Sequence, residues 1–128
     1  MIQITLLFAS IIGGLAVVFG AFGAHALKKI LNEEQLKSFE TGVKYQMYHA
    51  IVLLIIGFNF SLETVSEKYM VYSFMAGIVL FSFSIYGLVI SSAKNKKLTF
   101  LGPITPLGGL LLVCGWSLLF YTILNLSM

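Results

Sequence analysis

Arginine and aspartate are missing altogether from the 128 residues, and cysteine occurs once, at Cys114. Without arginine the chain lacks the planar fork that reads phosphates bidentately, which removes the usual basis for nucleic-acid binding. With one cysteine, neither an internal disulfide nor a cysteine-rich metal centre can form, and Cys114 lies in an apolar run where a thiol acts as a small packing residue. Charge itself is scarce: 10% of residues carry it, against about 25% in ordinary soluble domains. All thirteen charges fall in three windows, Lys28–Lys44, Glu63–Lys68 and Lys94–Lys97. The longest window spans 17 residues, too short for a water-soluble catalytic domain.

What remains is apolar. The stretches 1–27, 45–62, 69–93 and 98–128 hold no charge. A helix needs about 20 mostly apolar residues to cross a hydrocarbon core of ~30 Å. The sequence therefore predicts an all-α membrane protein: a bundle of four transmembrane helices over about 2–24, 45–62, 69–92 and 106–126, forming one integral domain, 1–128. The first stretch is read as a retained helix rather than a cleaved leader, because it has no basic start and its apolar run is too long.

Between the first two spans, Asn32 followed by Gln35 reads as a helix N-cap with a capping box. Glu33/Lys37 and Glu40/Lys44 are i,i+4 pairs in the favourable orientation, and Leu36, Phe39 and Val43 share a face. These residues predict a short amphipathic helix over about 33–44, lying in the headgroup layer; the second span is read as continuous with it or slightly short for the bilayer, with Gly42 as a bend. Thr105 and Pro106 are expected to start the fourth span as N-cap and first helical residue, after an irregular entry over Leu98–Ile104.

The first span carries Ala9, Gly13, Ala16, Gly20 and Ala24 at spacings that place them on one helical face. Small residues let membrane helices approach closely, so this face is expected to pack on another span of the chain or on a second copy in a homo-oligomer. Along the third span Ser73, Gly77, Ser84 and Ser91 form a weaker small stripe, and Trp116 is read as core filler. Lys28, Lys29, Lys37, Lys44, Lys94, Lys96 and Lys97 fall in two loops on one side, while Lys68 stands alone on the other. Under the positive-inside rule the loops at 28–44 and 94–97 are cytoplasmic and both termini lie outside. The seven lysines would then face anionic headgroups, making membrane lipids the expected partner.

Chemistry-bearing residues are few. His25, Glu40, Tyr45, Gln46 and His49 gather near one boundary of the first hairpin and form the best candidate polar cluster. Histidine and carboxylate can serve a metal or a proton, but a knot of hydrogen bonds is the plainer reading, and no metal or cofactor is expected. No phosphate loop, nucleophile elbow or zincin motif is present. No charge falls at the centre of a span, where ion and substrate pathways usually place one.

The segments Gly13-Gly14, Gly20-Ala21-Phe22-Gly23-Ala24-His25 and Phe39-Glu40-Thr41-Gly42-Val43-Lys44-Tyr45-Gln46-Met47-Tyr48-His49-Ala50 resemble the domain of unknown function 423 family, the small YgdD/YwdK-like membrane proteins. Phe81-Ser82-Phe83-Ser84-Ile85-Tyr86, Ile104-Thr105-Pro106-Leu107-Gly108-Gly109 and Gly115-Trp116 resemble its second half. The likeness implies a four-span protein of the bacterial plasma membrane and no known activity or ligand residues. The expected role is non-enzymatic: a structural, accessory or lipid-interacting membrane protein. The rivals are a small oligomeric channel or transporter, and a metal-binding or sensing protein.

Overall fold

The structure is a computed structural model and describes residues 1–126; Ser127 and Met128, the end of the expected 1–128 domain, lie outside the described residues. Among the described residues all regular structure is helical. The first rod joins α1 (Ile2–Val18) through a π-helical turn, Phe19–Gly23, to α2 (Ala24–Leu27). The second is α3 (Glu33–Asn59). The third joins α4 (Val65–Ile78) through a second π turn, Val79–Phe83, to α5 (Ser84–Ala93), and a 3-10 turn, Thr99–Leu101, leads into α6 (Ile104–Leu124). Three helical segments are long and apolar enough to cross a membrane: Ile2–Leu27, Val65–Ala93 and Thr99–Leu124.

α3 is continuous, as expected of the second span, but departs from expectation in where its first turns lie and in having no bend. The 33–44 segment is no separate helix on the headgroup layer but the opening turns of one unbroken 27-residue helix, about 40 Å long. Asn32 caps it as expected: its side chain accepts from the Gln35 amide at 2.8 Å, and the Gln35 side chain accepts from the Asn32 amide at 3.0 Å. The reason the segment stays upright is its apolar face. Phe39 is buried with Leu31, Tyr86 and Val89, and Leu36 and Val43 pack against the same cluster. Protein covers the face that the headgroup layer was expected to cover. Gly42 is likewise no bend. Its missing side chain admits the Tyr86 ring, since a Cβ there would stand 2.8 Å from Tyr86 Cε1.

Each neighbouring pair of rods runs antiparallel in one register. A Cβ on Gly57 would meet Leu6, Gly13 faces Ala50, Gly20 faces Val43 and Gly23 faces Phe39, so the first rod lies along α3 for its whole length. In the same way Gly115 faces Phe74, Gly77 faces Leu112, Gly108 faces Phe81 and Gly87 faces Leu101, which seats α6 along α4 and α5. α3 also packs on α4, α5 and the second π turn. The core joins Ala9 and Ile12 of α1, Leu53 and Ile56 of α3, Phe74 and Ile78 of α4 and Leu112 of α6.

Two helix starts also differ from expectation. α4 begins at Val65, capped by Thr64 in a capping box with Glu67. The Glu67 carboxylate also accepts from the Leu62 amide at 3.3 Å, so the Glu63–Lys68 connector is closed by its own acid. α6 begins at Ile104 with Pro103 as N-cap, not at Thr105. The Thr105 hydroxyl has another partner, Ser84, at 2.6 Å, and Pro106 sits in the first turn, where its missing N–H leaves no bond unmade.

Candidate functional site

A belt of polar groups crosses the bundle at the level of Gly42–His49. Gln46 is 0% exposed, and its place on α3 puts it between two other rods. Its side-chain nitrogen donates to the Ile12 carbonyl on α1 at 2.8 Å, and its oxygen accepts from the Tyr86 hydroxyl on α5 at 2.6 Å. One amide thus ties three rods. One turn away the Ser82 hydroxyl, in the second π turn, donates to the Gly42 carbonyl at 2.7 Å. That carbonyl lies on the face where Gly42 lets Tyr86 approach. Unmet polar groups cost several kcal/mol each in hydrocarbon. Among the described residues no buried side-chain nitrogen or oxygen lacks a partner.

Aromatic rings pack around this belt. Phe19 of the first π turn meets Phe83 of the second at 6.4 Å, and Tyr86 at 5.4 Å, both edge to face. Phe39 and Phe83 lie 5.1 and 5.5 Å from Tyr86. The two π turns therefore stand side by side. A π turn admits an extra residue per turn and widens the rod locally; here both widenings place a phenylalanine against Tyr86.

A second polar link runs from α3 to α6. His49 Nδ1 lies 2.7 Å from the Tyr45 carbonyl, and the Trp116 indole N–H donates to His49 Nε2 at 3.1 Å. A carbonyl only accepts, so Nδ1 carries the proton and Nε2 presents its lone pair, which assigns the neutral ring. Both nitrogens are occupied, and His49 has no lone pair left for a metal. Its ring is enclosed by Phe74 at 5.8 Å and Trp116 at 5.9 Å.

The expected five-residue cluster is thus divided. Gln46 and His49 are buried on α3 but turn to different partners, and Tyr45 is exposed, contributing its carbonyl to His49 and its ring to Phe81 at 4.9 Å. His25 is exposed on α2 and Glu40 is exposed on α3, and neither enters the belt. Among the described residues no three His, Cys, Asp or Glu side chains stand close enough to hold a metal ion.

Of the small residues, Ala9 and Ala16 are buried against the core side of α1 and Gly13, Gly20 and Ala24 follow the α3 seam. The third-span stripe splits by neighbour: Gly77 and Ser84 face α6, while the Ser91 hydroxyl accepts from the Leu98 amide at 3.1 Å. Lys28, Lys29, Lys37, Lys44, Lys94, Lys96 and Lys97 are all exposed.

Sequence reading missed three members of the site. Tyr86 and Ser82 lie forty positions from their partners, beyond any local pattern. Trp116, read as core filler, is 47% exposed and joined to His49; an amphipathic ring with one N–H wants a partner in an apolar setting, and that signal was available.

Comparison with known proteins agrees with the resemblance. The family model described as "Protein of unknown function (DUF423)" matches residues 19–109. A UPF0382 membrane protein of Staphylococcus aureus (strain bovine RF122) is 40% identical over 105 residues, covering 82% of each chain. A UPF0382 membrane protein of Staphylococcus haemolyticus is 37% identical over the same length, again covering 82% of each. No solved structure matches the chain.

Proposed function

The chain belongs to the DUF423 family, and from that premise we propose that it is a non-enzymatic, lipid-interacting structural or accessory protein of the bacterial plasma membrane. In this reading α3 is the fourth crossing. Its apolar half carries Lys44, Gln46, His49 and Asn59, which makes it less hydrophobic than the other three. It nevertheless lies in register with the first rod from Phe39 to Gly57, so if the first rod crosses, α3 crosses beside it. Of the polar side chains that lower its hydropathy, Gln46 and His49 are bonded to other rods and Asn59 donates back to the Ile55 carbonyl of its own helix, and a bonded polar group in the bilayer costs far less than a free one. Six of the seven exposed lysines stand at the end where the first rod meets α3 and α5 meets α6, while Lys44 lies about 16 Å along α3. The positive-inside rule puts that end in the cytoplasm and both termini outside, and the same lysines meet the anionic headgroups of the inner leaflet.

The observation that carries the reading is that the polar groups at the bundle centre bond to one another. A channel or transporter needs interior groups free to receive a moving species. Gln46, Ser82, Tyr86 and His49 instead hold rods together. Purified protein in liposomes should leave ion and small-solute flux at the level of empty vesicles. Flux that saturates with solute and disappears in Gln46→Leu would overturn the reading. Reporter fusions at either end should report outside; a terminus found in the cytosol would overturn the orientation.

A further inference from the structure

We propose that a slot of about 400 Å³ on the flank of α5 is a binding site for one anionic phospholipid, its phosphate held by Lys94 and Lys96 and the upper part of an acyl chain lying against Tyr86, Gly87, Ile90 and Leu98. The proposal rests on the lipid-interacting reading above and makes it specific. The slot is two-ended. From Lys94 to Tyr86 the helix descends about 12 Å at 1.5 Å per residue, with apolar walls. Lys94 and Lys96 line its upper end with their apolar stems, on exposed residues whose ammonium groups are free to reach a headgroup there. Leu101, outside the slot, fills the space that a Gly87 side chain would take, where a Cβ would come within 2.6 Å of its Cδ1.

The mouth is held in place by the backbone. Asn95 adopts φ 58, a left-handed value that asparagine tolerates, and turns the chain back on itself. The Lys96 amide then donates to the Ser91 carbonyl at 2.9 Å, and the Leu98 amide to the Ser91 hydroxyl at 3.1 Å. Lys96 and Leu98 are thereby fixed against α5 as mouth and wall. Charge decides the occupant. No carboxylate lines the slot, whereas the cleft of about 450 Å³ on the other flank of α5 sets Glu34 against Lys97 and offers an anion no net attraction. A basic mouth over an apolar slot at the end of a membrane helix fits an anionic headgroup with its chain.

The test is native mass spectrometry of the protein in neutral detergent with phosphatidylglycerol, phosphatidylcholine of the same chains, or glycerol phosphate. The wild type should retain one phosphatidylglycerol at least tenfold better than phosphatidylcholine. Lys94→Gln with Lys96→Gln should weaken phosphatidylglycerol about thirtyfold, the loss expected for two ammonium–headgroup attractions, and leave phosphatidylcholine unchanged. Ile90→Trp, which fills the slot and keeps the lysines, should weaken both lipids. Glycerol phosphate should not displace the lipid; if it does, the ligand is a free anion and the proposal fails. If Lys28→Gln with Lys29→Gln weakens phosphatidylglycerol as much, attraction is spread over the rim, which overturns the slot and leaves the broader reading standing. If wild type retains both lipids equally, the slot and the rim fail together.

Discussion

The seam between α1 and α3 and the seam between α4–α5 and α6 are both antiparallel and both lined with glycine, yet they are built differently. Along α1 and α3 the close contacts end on side-chain tips: Leu6 at Gly57, Val43 at Gly20, Phe39 at Gly23. Along α4–α5 and α6 two of them end on backbone. A Cβ at Gly108 would fall on the Phe81 backbone nitrogen and 2.7 Å from the Leu80 carbonyl carbon, and one at Gly77 would come within 3.0 Å of the Leu112 nitrogen. Among the described residues each seam carries one side-chain hydrogen bond: Gln46 to Ile12 in the first, fully buried at mid-length, and Ser84 with Thr105 in the second, near its end. One seam is a polar clasp at its centre with close contacts that side-chain tips can relieve, and the other is a backbone-to-backbone fit whose bond lies at its end. Glycines that look alike in sequence therefore do different work.

The sharpest way to break the comparison is Gly108→Ala. Side-chain tips can rotate away from an added methyl, but the Phe81 backbone, inside a π turn, cannot. Overpacking costs about 1–3 kcal/mol and more where relaxation is blocked, so this variant should lose about 3 kcal/mol or fail to fold. Thermal unfolding followed by circular dichroism in mild detergent reads the difference, and a melting point equal to wild type would contradict the backbone contact.

The difference between the seams also explains what the sequence could disclose. Helices were legible because the apolar runs and the Asn32–Gln35 box are local, and a bilayer needs them long. The α1 stripe was legible because Ala9, Gly13 and Ala16 repeat at helical spacing on one rod. Gly108 and Gly115 lie a heptad apart with Leu112 between them, a pattern as regular as that of α1, but only the structure shows that Gly108 meets backbone. What covers the apolar face of α3's first turns was not legible from residues 33–44 alone. Their apolar face is the same whether lipid or protein covers it, and only Tyr86 and Val89, forty and more positions away, decide. The polar cluster failed for a related reason. Glu40, Gln46 and His49 lie within ten residues on one helix, but helical phase sends Glu40 outward and Gln46 inward, and His25 stands exposed on another rod.

Next in size is Gln46→Leu, which tests the clasp. Leucine fills nearly the same volume, so the effect isolates two hydrogen bonds. Interhelical bonds in membranes average about 0.6 kcal/mol and reach about 1.7. Because one amide serves two rods and its loss leaves the buried Tyr86 hydroxyl without its partner, about 1.5 kcal/mol is expected. Tyr86→Phe should cost less, since Gln46 keeps its bond to Ile12. The double variant should cost less than the two singles added together, as coupled neighbours do. Strict additivity in the same unfolding assay would show that the Gln46–Tyr86 bond contributes nothing.

The smallest effect is the most discriminating between the seams. A Cβ at Gly13 would stand 3.6 Å from Ala50 Cβ, an ordinary contact, and Gly13 sits inside α1 where alanine is the better helix former by about 1 kcal/mol in water. Gly13→Ala should therefore be neutral or stabilising by up to ~0.5 kcal/mol, with the Gln46–Ile12 bond beside it intact. Run alongside Gly108→Ala, the same one-methyl change should separate the two seams by about 3 kcal/mol. A comparable loss at both positions would mean that α1 and α3 also meet through their backbones, and the clasp would no longer be needed to explain how the first rod is held.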